Sequence, residues 1–409
     1  MREALARIFL VHPDRRSWLP AGIWALIAVA SVAVAAAVAL RPGHLQDLHL
    51  VRTWLEYAWH HSADPYAYFD RELDYPPLAL LLLAPLGWIS DGTLTAWFLP
   101  ASVVITAVAV WALVNAIAER VYAEITTPQR VAIVAMILST SSVRGAIWRG
   151  QTVALAVLFG ALALSWTRRR PVAAGLMLAL CSFKLHLAFG FGLAILLLDG
   201  PWVVIVAGAS ALSLSIFAAA TMGQSPLVLA VTYARNLFAI YAPPGHIGGL
   251  LSVRWVFEEL VDHYGAATLL YAVAAIASLV LIVRAARRAP DAAGRAQVTA
   301  AALLWPLLFL PSQLYNGMLA APAVWLLMWP ESGLIRRQSK RVAVVAAFVM
   351  FSVLDVPRLL RFISGWIEDG YWLYKGSYYL SPLRLLLMFG FVLFVAFRRA
   401  RASQQELSV

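Results

Sequence analysis

Apolar runs recur along this chain, each interrupted by only a few polar residues. The first, residues 21–40, carries no charge over 20 positions. A helix of about 20 apolar residues matches the ~30 Å hydrocarbon core of a bilayer. Comparable runs at 94–118, 131–147, 151–167, 171–186, 187–199, 201–221, 266–284, 297–311, 318–330, 341–355 and 382–397 complete a pattern of about twelve predicted crossings. The run 76–90 is also apolar, but Pro76, Pro77 and Pro85 interrupt it. Proline removes a backbone donor and breaks helices, so a re-entrant or short helix is predicted there. In the segment 41–93, Leu48, Val51, Leu55 and Ala58 recur at three- and four-residue intervals, with His49, Arg52, Thr53, Glu56 and His60 around the rest of the turn. That pattern predicts an amphipathic helix on the membrane surface. Asp47 falls in its first turn, where the helix dipole favours a negative charge and where a plain helix cap is the simpler role.

Composition strengthens the membrane reading. Of the 409 residues, 62% are hydrophobic and 13% charged, against roughly 25% charged in ordinary globular proteins. A water-soluble chain of this size has no interior large enough for so much apolar surface, and disorder requires low hydrophobicity. The fold class expected is an all-α integral membrane protein, one polytopic domain over 1–409. Within it, 1–221 holds the long loop 41–93 and 222–409 the long loops 222–265 and 356–381.

The net charge of +11 admits a nucleic-acid binder, but its distribution argues otherwise. Arg168, Arg169 and Arg170, like Arg336, Arg337, Lys340 and Arg341, stand in short clusters between apolar runs. Such clusters mark cytoplasmic loops. With residues 1–20 placed inside and 76–90 not counted as a crossing, the cytoplasmic segments hold 20 of the 32 Lys and Arg and 8 of the 21 acids. Counting 76–90 as a full crossing would move the Arg168–Arg170 cluster outside. The expected topology therefore has both termini cytoplasmic, in a cell membrane. Residues 1–20 contain four arginines, and the first run is read as a retained span rather than a cleaved signal. A lone cysteine, Cys181, makes no internal disulfide and no thiolate metal site. No glycine-rich phosphate loop is present, so a nucleotide sugar has no support.

The long loops all fall outside, which places the work on the outer face. Loop 41–93 mixes Asp47, Glu56, Asp64, Asp70, Glu72 and Asp74 with Trp54, Tyr57, Trp59, Tyr66, Tyr68, Phe69 and Tyr75. Carboxylates that bind or deprotonate hydroxyls, beside rings that stack on sugar faces, suit a carbohydrate site. An interfacial aromatic belt with solvated acids has the same composition.

A set of short motifs sharpens the choice. Gln46-Asp47-Leu48 follows the first apolar helix. Tyr75-Pro76-Pro77-Leu78-Ala79-Leu80 comes next, then Arg149-Gly150-Gln151 opening a helix, then Ala174-Gly175-Leu176 and Ser182-Phe183-Lys184-Leu185. In order and spacing over residues 20–200 the chain resembles glycosyltransferase family 87, polyprenyl-phosphate-sugar-dependent enzymes of the GT-C superfamily that include bacterial mannosyltransferases. The second half departs more. Gly245-His246-Ile247-Gly248 stands where many members have an asparagine-serine pair. Pro311-Ser312-Gln313-Leu314-Tyr315-Asn316 lacks a frequent histidine or aspartate, and Lys184 is followed by Leu185-His186 rather than proline.

The resemblance implies a GT-C fold, a polyprenyl phosphate sugar as donor, a glycolipid or cell-envelope glycan as acceptor, and Asp47 as general base. An acceptor hydroxyl must lose its proton as it attacks the anomeric carbon, and a positioned carboxylate takes it. The departing lipid phosphate needs cations, for which Lys184, Arg254 and Arg149 are the candidates. Lys184 lies within an apolar run, where a charge costs about 2.5–3.5 kcal/mol and calls for a partner. Asp74, Tyr75, Gln151, His186, His246 and Asn316 are candidate substrate contacts. Gln151 either bonds a sugar hydroxyl or caps its helix. Asp47 with His49, and Glu56 with His60, have ligand chemistry without a third ligand, so no divalent metal or other cofactor is expected. The rival reading is a twelve-span secondary transporter. It would show similar halves and acids in mid-membrane. No internal repeat is visible, and the acids fall in outer loops.

Overall fold

The computed structural model describes residues 18–41, 44–60, 64–69, 73–120, 125–241, 252–261, 263–288, 292–310 and 314–320, and near the end 360, 363–364, 380, 383 and 385–394. The expected span 341–355, most of 318–330, the basic cluster 336–341, most of loop 356–381, Asp70, Glu72 and His246 lie outside the described residues. In chain order the helices are α1 (Leu19–Ala39), α2 (Gln46–His60), α3 (Pro65–Tyr68), α4 (Pro77–Leu82), α5 (Ala84–Gly87), α6 (Asp91–Arg120), α7 (Thr127–Leu138), α8 (Ser141–Arg149), α9 (Val153–Trp166), α10 (Pro171–Cys181), α11 (Leu185–Asp199), α12 (Trp202–Thr221), α13 (Pro226–Tyr241), α14 (Arg254–Leu260), α15 (Tyr264–Arg287) and α16 (Ala292–Phe309). A 3₁₀ turn follows at Leu314–Leu319. No strand occurs among the described residues.

Four helices, α1, α6, α12 and α15, are long and apolar enough to cross a membrane, and α7 with α8 makes a fifth if the pair is one span. The expected straight span 131–147 is instead bent by 59°. The cause is local. The hydroxyls of Ser139 and Thr140 donate to the carbonyls of Met136 and Ile137 at 2.7 and 2.8 Å, which competes with the helical ladder. Arg144 then donates to the Ser139 carbonyl at 2.8 Å and to the Ser31 hydroxyl at 3.3 Å, so the opened turn keeps its partners. The runs expected at 151–167, 171–186 and 187–199 fold as α9, α10 and α11, with 14, 11 and 15 residues. At 1.5 Å per residue each falls short of the ~30 Å core. The stretch 76–90 breaks into α4 and α5, each with a proline at its start, where the missing N–H is least costly. Region 222–265, expected as loop, contains α13.

The chain forms two compact units, one of Met1–Ala33, Val114–Arg144 and Ile247–Val409, the other of Val34–Leu113 and Gly145–His246. In the second unit α10 packs on α9 and α12, α11 on α9, α12 on α4, and α2 on α5. Gly160 of α9 allows close approach of α11, because a Cβ there would lie 2.2 Å from the Phe191 ring. The amphipathic face of α2 is buried as its spacing predicts, through Leu48, Val51, Leu55 and Ala58, with Trp54 added. Its polar side is pinned by Arg52, which donates to the Ile89 carbonyl at 2.9 Å and pairs with Asp91 at 3.1 Å. In the first unit α15 packs on α14 and α16. The Tyr271 hydroxyl donates to the Phe309 carbonyl at 2.6 Å and the Trp305 indole to the Ser278 hydroxyl at 3.0 Å.

Candidate active site

The site is assembled in the second unit by a helix end. α8 stops at Arg149 and Gly150 follows with φ +76°. The Gly150 N–H donates to the Ile147 carbonyl and the Gln151 N–H to the Ala146 carbonyl, at 3.1 and 2.8 Å. This is a Schellman cap with glycine in the left-handed position. Glycine is required twice over, since a Cβ would also lie 2.5 Å from Leu48 Cβ of α2. The entry to α2 meets the same helix end, where the Leu45 N–H donates to the Trp148 carbonyl at 3.0 Å. Leu45 and Leu48 are buried together with Ala39 and Leu94. Thus Gln151 closes α8 rather than opening a helix, and the next helix, α9, begins at Val153.

This cap sets Gln151 beside the first turn of α2. The Gln151 Nε2 donates to Asp47 Oδ2, and Gln151 Oε1 accepts from Lys184 Nζ at 3.3 Å. Lys184 is 6% exposed and stands in the non-helical step between α10 and α11. Its ammonium lies 4.1 Å from the centre of the Tyr75 ring, a cation–π contact. The Tyr75 hydroxyl pairs with Thr152 Oγ1 at 3.3 Å. Phe183 and Trp54 flank the same ring, with centroids at 6.4 and 5.8 Å. Three residues separated by 104 and 33 positions in sequence therefore form one polar line.

The Tyr75 segment is held from both sides. The Tyr66 hydroxyl donates to the Tyr75 carbonyl at 2.7 Å, and the Asn236 side chain of α13 donates to the Leu73 carbonyl. Burial pushes the Tyr66 hydroxyl well above its ordinary range, with smaller pushes from Tyr233 and from the carboxylates of Asp64 and Asp74. Tyr66 therefore stays a donor. Asp64 caps α3, accepting from the Tyr66 N–H at 2.9 Å.

Of the other candidates, Asp74 is half-buried beside Tyr75 and His186 is half-buried in the first turn of α11. Arg149 is exposed at the end of α8, where the helix dipole favours a cation. Arg254 belongs to the first unit. There its Nε pairs with Glu258 at 2.7 Å and its guanidinium donates to the Tyr264 hydroxyl at 2.6 Å. Asn316, also of the first unit, is 1% exposed in the 3₁₀ turn. Thr152 and Asn236 were not anticipated as site residues. Thr152 follows directly on Gln151, and Asn236 interrupts the apolar run of α13, which is a usable signal. Among the described residues, no three His, Cys, Asp or Glu side chains gather in a way that could hold a metal ion.

The model of Glycosyltransferase family 87 matches residues 73–311, more than half of the chain. The chain belongs to glycosyltransferase family 87. No curated protein and no solved structure matches it. The family 87 match takes in Asp74, Tyr75, Arg149, Gln151, Lys184, His186 and Arg254, while Asp47 and Asn316 lie outside the matched residues. It also runs through 222–311, where the motifs agree less. As a family 87 member with several long apolar helices, the protein is a membrane glycosyltransferase.

Proposed function

We propose that this protein moves a sugar, mannose by family resemblance, from a polyprenyl phosphate donor to a lipid-linked or cell-envelope glycan on the outer face of the cell membrane. Asp47 is the general base. An acceptor oxygen attacks the anomeric carbon and its proton passes to the Asp47 carboxylate. The bond from that carbon to the phosphate oxygen breaks, and the polyprenyl phosphate leaves. Lys184 balances the charge that develops on the phosphate, and the ring of Tyr75 with the carboxylate of Asp74 borders the sugar. One base and direct displacement make the reaction inverting. A leaving group with a single phosphate has less need of a divalent metal than a nucleotide diphosphate.

The observation that carries this reading is the line Asp47–Gln151–Lys184, which sets a carboxylate and a buried cation on either side of one amide. General acid–base catalysis and charge stabilisation both need groups positioned in advance. The outer-face assignment rests on the distribution of basic residues. The test supplies purified protein with radiolabelled polyprenyl phosphate mannose and a membrane lipid extract. The expected result is label transferred to a new glycolipid. Uptake into vesicles without transfer would instead identify a transporter.

A further inference from the structure

The middle residue of this line is more constrained than either end. A glutamine amide has an accepting end and a donating end of nearly equal size, whereas a lysine ammonium only donates and an ionised carboxylate only accepts. Lys184 Nζ lies 3.3 Å from the Gln151 side chain and must face its oxygen. The amide nitrogen is thereby turned to Asp47, where it donates to Oδ2. The reverse orientation would set N–H against ammonium and oxygen against carboxylate. Lys184 is itself fixed against the Tyr75 ring. The Gln151 backbone is fixed by the Schellman bonds at Ala146 and Ile147, and Gly150 leaves no slack against Leu48.

We propose that Gln151 is a positioning residue for Asp47 and not a sugar ligand. Its amide, oriented by Lys184, occupies Oδ2 and so presents Oδ1 to the acceptor hydroxyl. The inference rests on the reading of Asp47 as the base. It requires that Gln151 act on the rate of the chemical step through Asp47 while leaving substrate affinity alone.

The experiment measures kcat, KM and donor Kd with polyprenyl phosphate mannose for two variants. Gln151→Glu keeps an acceptor for Lys184 but has no N–H for Asp47, and Gln151→Met fills the volume with neither bond. Both are expected to lower kcat about 10- to 100-fold, the order of loss that follows from a misplaced catalytic group; Gln151→Met keeps KM and donor Kd within about twofold of the parent protein, whereas Gln151→Glu gives Lys184 a counter-ion and weakens donor binding. Full kcat with a raised KM would overturn the inference and make Gln151 a substrate ligand. Unchanged kcat and KM would overturn it as well. Gln151→Met reports on the inference even if the extra charge of Gln151→Glu disturbs folding, because donor Kd measured on the same sample reads the integrity of the site. Asp47→Asn, measured in parallel, separates the two levels. An active Asp47→Asn protein removes the base assignment and this inference with it, whereas an inactive one beside a fully active Gln151→Met protein removes this inference alone.

Discussion

Two buried or half-buried cations in this protein stand in different surroundings. In the first unit Arg254 pairs with a carboxylate, Glu258, four residues along the same helix, and with the Tyr264 hydroxyl. In the second unit Lys184 contacts an amide oxygen and an aromatic face. A carboxylate at 2.7 Å offsets the charge of Arg254 within α14 itself. An amide dipole and a ring quadrupole both stabilise the Lys184 ammonium. The first arrangement suits a structural pair, and the second ties the Lys184 ammonium to the amide that meets Asp47. Both cations are candidates for the phosphate on sequence, and the Glu258 pair sets Arg254 apart.

The sharpest way to break this comparison is to remove each cation in turn. Lys184→Met is expected to lower kcat/KM by about 10²–10³-fold, the range for losing one group aimed at developing charge. Arg254→Met is expected to change it by less than about threefold. Equal losses in the transfer assay would erase the distinction.

The helix end that builds the site gives the next largest effect. Gly150→Ala forces a β-carbon into the left-handed region and against Leu48. It is expected to destabilise the protein by about 1–3 kcal/mol and to lower activity through displacement of Gln151. Thermal unfolding in detergent, measured with transfer activity on the same sample, checks both. The corresponding change in the first unit, Glu258→Gln, breaks a partly buried pair and is expected to cost about 1 kcal/mol with activity retained.

Tyr66 acts on stability at neutral pH and gives a distinct effect in alkali. Its ordinary value is 10.0 and burial raises it in the folded protein. Above pH 10 the unfolded chain has released a proton that the native chain still holds, so this group draws stability down as pH rises. The slope is about 1.4 kcal/mol per pH unit until the native group also ionises. Tyr66→Phe is expected to remove that part of the alkaline loss. At neutral pH it costs about 1–3 kcal/mol, because the Tyr75 carbonyl loses its donor. Unfolding midpoints from pH 8 to 11 for both proteins read the two effects separately.

What could be read from sequence follows the range over which each signal acts. Helices α1, α6, α12 and α15 announce themselves by long uncharged runs, because crossing a bilayer is a demand on length and polarity alone. The burial of Leu48, Val51, Leu55 and Ala58 followed from helical periodicity. The bend between α7 and α8 did not, since Ser139 and Thr140 also fit within helices and only their hydroxyl partners decide. α13 lies inside a region expected as a long loop, and Pro226 before an apolar run is the helix start signal for it. At the site, the residue types were legible and their meeting was not. Gly150 reads on sequence as opening a helix, yet it ends one, as a glycine after a helical run more often does. That reversal is what brings Gln151 to Asp47 across 104 residues.

The central claim is that Asp47, and not simply some acid near the membrane surface, takes the acceptor proton. Asp64 is the natural control, because it stands in the same segment and caps α3. Transfer of radiolabelled mannose from polyprenyl phosphate should vanish in Asp47→Ala and persist in Asp64→Ala. Transfer by the Asp47→Ala protein at the rate of the parent would contradict the account.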